Sequence, residues 1–252
     1  DTNSSHWPGF LLCSSNQVDS FFDHVYFKNI SGIGVGPNEH GITRNGWTMT
    51  GGVTIHNSSV SFTNCSFENF QTEDALNIIS SKFILDNVKF RNVSSDAFDG
   101  DFVEGKISNC FFLDIAGDGA DFSGSDVEIT DCRFQNISDK AISIGENSRA
   151  NISKSSIENV SFGIVSKDQS VTKVENNNII KNANTAAFSA FQKKPSFGPA
   201  TIRVSDSKVI SSTQDFLIQD HSFGWNNEEP IMTVPFNTSD LYNKLIPINE
   251  NL

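Results

Sequence analysis

SDVEITDCRFQN (residues 125–136) alternates apolar and polar side chains in steps of two: Val127 and Ile129, then Cys132 and Phe134 beyond a Thr130-Asp131 break. Alternation over runs this short, interrupted by Asp, Asn, Ser or Gly, predicts short strands joined by tight turns. The stretch ends in Phe-x-Asn, and that ending returns along the chain. It reads Phe27-x-Asn29, Phe67-x-Asn69, Phe90-x-Asn92, Phe112-x-Asp114, Phe134-x-Asn136, Ile157-x-Asn159, Ile180-x-Asn182 and Val209-x-Ser211. The intervals from Phe67 to Ile180 are 23, 22, 22, 23 and 23 residues. The first interval is 40 and the last 29, so those two carry insertions. A period of this length holding about three short strands is one rung of a coiled repeat. No rung can bury its apolar side alone, so neighbouring rungs must stack.

The 252 residues include 22 Phe against 2 Tyr, so much of the core is built from Phe. The net charge of -12 argues against nucleic acid, which needs an excess of Lys and Arg to neutralise phosphate. No apolar run approaches the ~20 residues of a membrane span. The chain opens at Asp1 without a Met or a signal-like segment, as a processed or excised piece would. Cys13, Cys65, Cys110 and Cys132 form no CxxC pair, which argues against a zinc knuckle.

The periodicity, the apolar columns and the turn Asn together resemble the right-handed parallel β-helix superfamily, with its pectate-lyase-like repeats. The resemblance covers roughly residues 7–220. It implies an all-β chain: a single-stranded, right-handed parallel β-helix of about 22–23 residues per rung. Residues 1–222 would form the solenoid, with a loop insertion at 31–52, and residues 223–252 a C-terminal cap or linker. The segments GDGADFSGS (117–125), GIVSKDQS (163–170) and FQKKPSFG (191–198) are similar to a subgroup of bacterial surface β-helix proteins. Such a chain is expected outside the cell or on its surface.

Register across rungs puts Cys65, Val88, Cys110 and Cys132 in one buried column, as free thiols. The Asn column is structural: its amides bond one another along the stack, and Asn tolerates left-handed turn geometry. Asn92, Asn136 and Asn159 also begin N-x-S sequons, a possible site of glycosylation.

DALNII (74–79), DAFDGDF (96–102), DGADFSG (118–124), KAISIGE (140–146) and FGIVSKD (162–168) align as one strand repeated. Leu76, Phe98, Ala120, Ile142 and Ile164 point inward. Three columns are expected to face solvent: a small one (Ala75, Ala97, Gly119, Ala141, Gly163), then Asn77, Asp99, Asp121, Ser143 and Val165, then Ile79, Asp101, Ser123, Gly145 and Lys167. Asp74, Asp96 and Asp118 stack at the strand entrance, where turn amides and Lys140 would neutralise them.

Carboxylates stacked at ~4.8 Å repel. A Ca²⁺ ion held by Asp99, Asp101 and Asp121 would relieve this, as would a shared proton. Two readings of function follow. In the first, the chain is an extracellular or cell-surface module that binds carbohydrate or a partner protein without catalysis. Asp121, Lys140, Lys193, Lys194 and Trp47 would then line the groove. The alternative is a Ca²⁺-dependent polysaccharide lyase or C5-epimerase, with Asp99 and Lys167 as catalytic groups and Lys167 taking the C5 proton. Paired carboxylates also allow glycan hydrolysis. The Arg-Pro motif of pectate lyases, the polygalacturonase motifs and the Asp-Pro-His motif of alginate epimerases are absent, which favours the first reading. The insertion carries His40, Arg44 and Trp47. Trp47 would pin the loop or stack on a sugar, and His40 has no partner at metal-ligand spacing.

Overall fold

The computed structural model describes residues 9–13, 19–33, 42–44 and 47–243. The strands coil into a right-handed parallel β-solenoid of about 8 turns. Each middle turn carries three strands. One turn contains Asp74–Ile79, Lys82–Asp86 and Lys89–Val93, and the next Asp96–Asp101, Glu104–Ser108 and Phe111–Ile115. Equivalent strands pair in parallel from turn to turn. Leu76 meets Phe98, Leu85 meets Ile107, and Phe90 meets Phe112. The second strands make a 10-stranded sheet. First and third strands share a 15-stranded sheet, because in later turns a third strand runs straight into the next first strand. Arg133–Gly145, Ser156–Lys167 and Ile179–Phe191 are such continuous strands.

The repeated Phe stacks as a column through the interior. Phe27, Phe67, Phe90, Phe112 and Phe134 lie ring on ring, with centroids 4.9, 4.9, 4.9 and 4.4 Å apart. Ile157 and Ile180 continue it in register. Two residues on, the Asn column turns the chain. Asn29, Asn69, Asn92, Asp114, Asn136, Asn159 and Asn182 all have positive φ, a conformation that Asn adopts at lower cost than most residues. Asn69 donates its amide to Asn29 at 3.0 Å, Asn92 to Asn69 at 2.8 Å, and Asn159 to Asn136 at 3.1 Å. Cys65, Cys110 and Cys132 are buried free thiols in the expected column, and Cys13 is free and exposed.

The small column is corrected. Ala75, Ala97 and Ala141 were expected to face solvent, but all three are fully buried in the main core. Strict alternation fails at the bend entering this strand, where two consecutive residues, such as Ala75 and Leu76, both turn inward. Only small side chains fit the first position. A Cβ on Gly119 would lie 2.8 Å from the Phe134 ring and 2.5 Å from the Ala141 carbonyl oxygen.

Within the insertion, Ser31–Ile33 pairs with Ser66–Thr72, and Ile42–Arg44 forms an antiparallel hairpin with Trp47–Met49. Gly51–His56 already belongs to the main ladder, pairing with Asp74–Ile79. His40 and the Trp47 side chain lie outside what is described. At the other end, Phe223–Asn226 still adds to the second sheet in parallel, a few residues past 222. Phe236 and Leu241 then pack on a separate apolar cluster of Phe162, Val165, Ala186, Phe191 and Leu217.

Candidate functional site

The first strands of the middle turns carry the acidic face. Asp99 pairs in register with Asn77 on one side and Asp121 on the other, and Asp121 with Ser143. Asp99, Asp101 and Asp121 are half-buried, while Asn77 and Ser143 are buried. The second expected solvent column is therefore corrected at its ends and opens only at its two aspartates. The Thr50–Gly51 backbone closes over Asn77: a Cβ on Gly51 would lie 2.8 Å from the Asn77 Cβ. At the far end Val165 is covered within the second apolar cluster.

Within this recess the Asn77 amide donates to Asp99 Oδ2 at 2.7 Å, leaving the buried Asn77 Oδ1 without a partner. Ser143 Oγ is likewise buried and unpartnered. Lys167 reaches back over two rungs. Its stem lies on Gly145, where a Cβ would come within 2.6 Å of its Cε, and its ammonium sits 3.4 Å from both Asp121 oxygens.

The entrance column is held by its own ladder. Asp74 accepts the Thr50 hydroxyl at 2.9 Å. Asp96 Oδ1 accepts the Asp118 N–H at 2.7 Å, and Asp118 Oδ1 accepts the Lys140 N–H at 2.9 Å. Gly117 leaves room for the Asp96 carboxylate, since a Cβ there would fall 2.1 Å from its Oδ1. The Lys140 ammonium is buried, 3.0 Å from Asp118 and also paired with Asp139. Lys194 pairs with Glu146 at the rim. The loop bearing Lys193 and Lys194 is tied down by Asp168, which accepts their backbone N–H groups at 2.6 and 2.7 Å.

Burial dominates the electrostatics. It pushes Asp74 up to about 7 and Asp118 up to about 6, the latter against the pull of Lys140. Asp96 and Asp99 are held well above the usual carboxylate range by burial first, and then by neighbouring aspartates. Asp101 is raised for the same reasons, with the Asn77 amide opposing. Burial alone would lower the Lys167 ammonium, but Asp121 and Asp118 outweigh it and hold its proton above the ordinary value. An ammonium held so firmly donates hydrogen bonds and takes up no proton near neutrality. Lys193, exposed as a whole residue, is lowered by partial desolvation and then by Lys167 and Lys140.

The right handed beta helix region, as a family, matches residues 31–202. The chain belongs to that family. Among solved structures, this β-helix chain is similar to a pectate lyase from Paenibacillus sp. 0602, at 9% identity and a TM-score of 0.40, covering 86% of this chain and 68% of that one. It is also similar to the surface protein and adhesin PfbA of Streptococcus pneumoniae, at 12% identity and a TM-score of 0.33, covering 89% and 80%. The catalytic domain of a GH87 alpha-1,3-glucanase in complex with nigerose matches at 11% identity and a TM-score of 0.28, covering 87% and 56%. Nothing about activity is carried over from these likenesses. No curated protein matches the sequence.

The β-helix regroups the candidate metal ligands. Carboxylate oxygens of Asp96, Asp118 and Asp121 lie within 4.8 Å of one another. The predicted set of Asp99, Asp101 and Asp121 is not gathered in this way among the described residues. The bend that turned the alanines inward also swings the entrance column towards Asp121. Those three carboxylates are already engaged by two buried ammonium groups and two backbone N–H groups. A divalent cation would sit beside Lys140 and Lys167, so the donor set fits calcium poorly. Sequence reasoning treated Asp96 and Asp118 as turn residues only. Their spacing of three from Asp99 and Asp121, across a bend, was the available signal.

Proposed function

We propose that this chain is an extracellular or cell-surface β-helix module whose acidic face binds carbohydrate, with protons and lysines, not calcium, balancing the carboxylates. The observation that carries this is the recess itself: Asp99 and Asp121 stand between the buried, unpartnered oxygens of Asn77 and Ser143, with the buried Lys167 ammonium on Asp121, and burial raises five carboxyls around it, Asp74, Asp96, Asp99, Asp101 and Asp118. Such an array is costly to fold at neutral pH, and groups perturbed together in a recess mark functional sites. Protonated carboxyls donate and accept, ammonium groups donate, and the unpartnered Asn77 and Ser143 oxygens accept. That mixture matches the hydroxyl groups of a sugar chain. Among the described residues no helix is long and apolar enough to cross a membrane.

Binding is tested by titrating oligosaccharides into wild type, Asp99→Asn and Asp121→Asn by calorimetry. Both variants are expected to lose affinity while keeping the wild-type circular dichroism spectrum. Unchanged affinity in both would remove the acidic face from any role in recognition. Calcium and a chelator are expected to leave Tm unchanged, and a clear rise in Tm with calcium would restore the metal reading.

A second reading, glycan hydrolysis, is favoured by one juxtaposition. Asp99, whose carboxyl is raised by burial well above the usual range, is the register partner of Asp121, which is ion-paired to Lys167. Adjacent strand positions lie about 5 Å apart, a spacing compatible with an acid and a nucleophile on one bond. Reducing-sugar release lost in both single variants would support it. A binding-competent chain that releases none leaves the module reading alone.

A further inference from the structure

A second recess lies on the outer face of the 10-stranded sheet, away from the acidic recess. It is a groove of about 1630 Å³ that crosses the turns from Phe21 to Asn151. Phe21, Ser61, Ile84, Lys106, Glu128 and Asn151 follow one another in register along it. Two bare rings stand over this groove: Phe21 is 75% exposed and Phe102 is 67% exposed.

Phe102 is anomalous for its backbone. It occupies the turn between the first and second strands, where equivalent N–H groups donate to the following turn: Asn57 to Ile79, Ser80 to Asp101, Phe102 to Ser123 and Gly124 to Glu146. All four have positive φ, 50°, 49°, 54° and 61° respectively. Asn, Ser and Gly suit that position. A bulky Phe there is a strained outlier, and strain of this kind collects at functional positions. The ring is also seated: a Cβ on Gly124 would meet its Cδ1 at 2.7 Å, so the ring lies against the bare Gly124 backbone.

The charge along the groove is nearly balanced, with four carboxylates (Asp19, Glu104, Asp126, Glu128) to three cations (Lys82, Lys106, Arg149). Lys82 pairs with Glu104 at 3.0 Å and Lys106 with Glu128 at 3.0 Å, and Asp126 stands opposite Arg149 in register. A polyanion would find no excess of cations here, and a cationic partner no strong acidic field. The uncommitted groups are hydroxyls and amides of Ser59, Ser61, Asn57 and Asn151, and two aromatic faces. The negative face of an aromatic ring attracts the C–H face of a sugar. Phe21 and Phe102 are three turns apart, roughly 14 Å along the axis at ~4.8 Å per turn, and Phe102 lies four residues before Lys106, the register equivalent of Phe21, so the line between the rings crosses the turns obliquely over a span of a few linked sugars.

We propose that this groove binds a linear, uncharged glycan laid obliquely across the turns, with Phe102 and Phe21 as stacking platforms. The site lies on the neighbouring sheet, across the turn that follows Asp101, and its test leaves every aspartate of the acidic face in place. Phe102→Asn restores the residue type that the turn prefers, so it is expected to hold or raise Tm. It is also expected to weaken retention of neutral hexasaccharides (cello-, manno-, malto- and laminari-series) by about three- to tenfold, as loss of one ring contact implies. Phe21→Ser is expected to do the same, and wild-type binding is expected to be insensitive to salt. Both Phe variants are also made in an Asp99→Asn chain, in which the acidic face is disabled and the affinity that remains is the groove's, so the same loss is expected there. The proposal is overturned if no neutral hexasaccharide binds, if both Phe variants bind like wild type, or if polygalacturonate is preferred. It is equally overturned if sedimentation shows self-association that Phe102→Asn abolishes, because the face would then be an interface between copies.

Discussion

Asp99 sits half-buried beside Asp74, Asp101 and Asp121, and burial more than charge raises its carboxyl above the usual range. A carboxyl raised in this way binds its proton more tightly in the folded chain than in the unfolded one. Its stabilising contribution is complete below the unfolded value of about 3.9. It is lost as pH rises through the folded value, about 6 for Asp118 and about 7 for Asp74. Stability is therefore expected to fall between about pH 4 and pH 7, opposite to a chain whose carboxylates gain salt bridges on folding. Asp99→Asn keeps an oxygen for the Asn77 amide and removes one titrating group. Thermal unfolding should find the variant more stable than wild type at about pH 8, with the difference closing as pH falls towards about 4. A variant less stable at the higher pH would mean that the Asp99 charge is used for support and not merely tolerated.

Among the elements, the Asn turn shows how a stack repeats a local solution. Each amide hands a hydrogen bond to the turn before it, but Asp114 accepts from Asn136 at 2.8 Å and has no N–H to pass on to Asn92. The ladder is broken at that one turn. Asp114→Asn should complete it and place a residue suited to φ 57°. The expected gain is about 0.5–1 kcal/mol, or a Tm rise of roughly 1–4 °C for a chain of this size. No gain would mean that solvent already satisfies Asn92. The period was legible because every turn must bury the same ring on its neighbour, which leaves Phe67, Phe90, Phe112 and Phe134 at nearly constant intervals. The faces were less legible. A two-residue rule cannot register a bend, so Ala75, Ala97 and Ala141 were assigned outward, and Asp96 and Asp118 were separated from Asp121. Phe102 gave no signal because its peculiarity is a backbone angle, and only alignment with Asn57, Ser80 and Gly124 reveals it.

Across the whole molecule, the recess exists because the face is covered at both ends. In the middle turns the column reads Asn77, Asp99, Asp121 and Ser143. It becomes apolar at Val165, in the turn that contributes to the cluster overlain by the C-terminal segment. Solenoid turns contact only their neighbours, so an end without a cover exposes apolar surface and strand edges together. Phe236 lies against Phe191, with ring centroids 6.1 Å apart, and its carbonyl accepts the Gln219 amide at 2.9 Å. Phe236→Ala removes the ring and leaves that backbone bond in place. Because the side chain is only partly buried, the expected cost is about 1–2 kcal/mol, with stronger binding of a hydrophobic dye to the native state. Asp121 and Asp99 lie three and four turns from the Phe191 turn, and the acidic recess should keep its glycan affinity, since coupling along a stack weakens with each interface crossed. If affinity falls together with stability, the C-terminal segment does more than seal the core: it holds Lys167, two residues beyond Val165, in reach of Asp121.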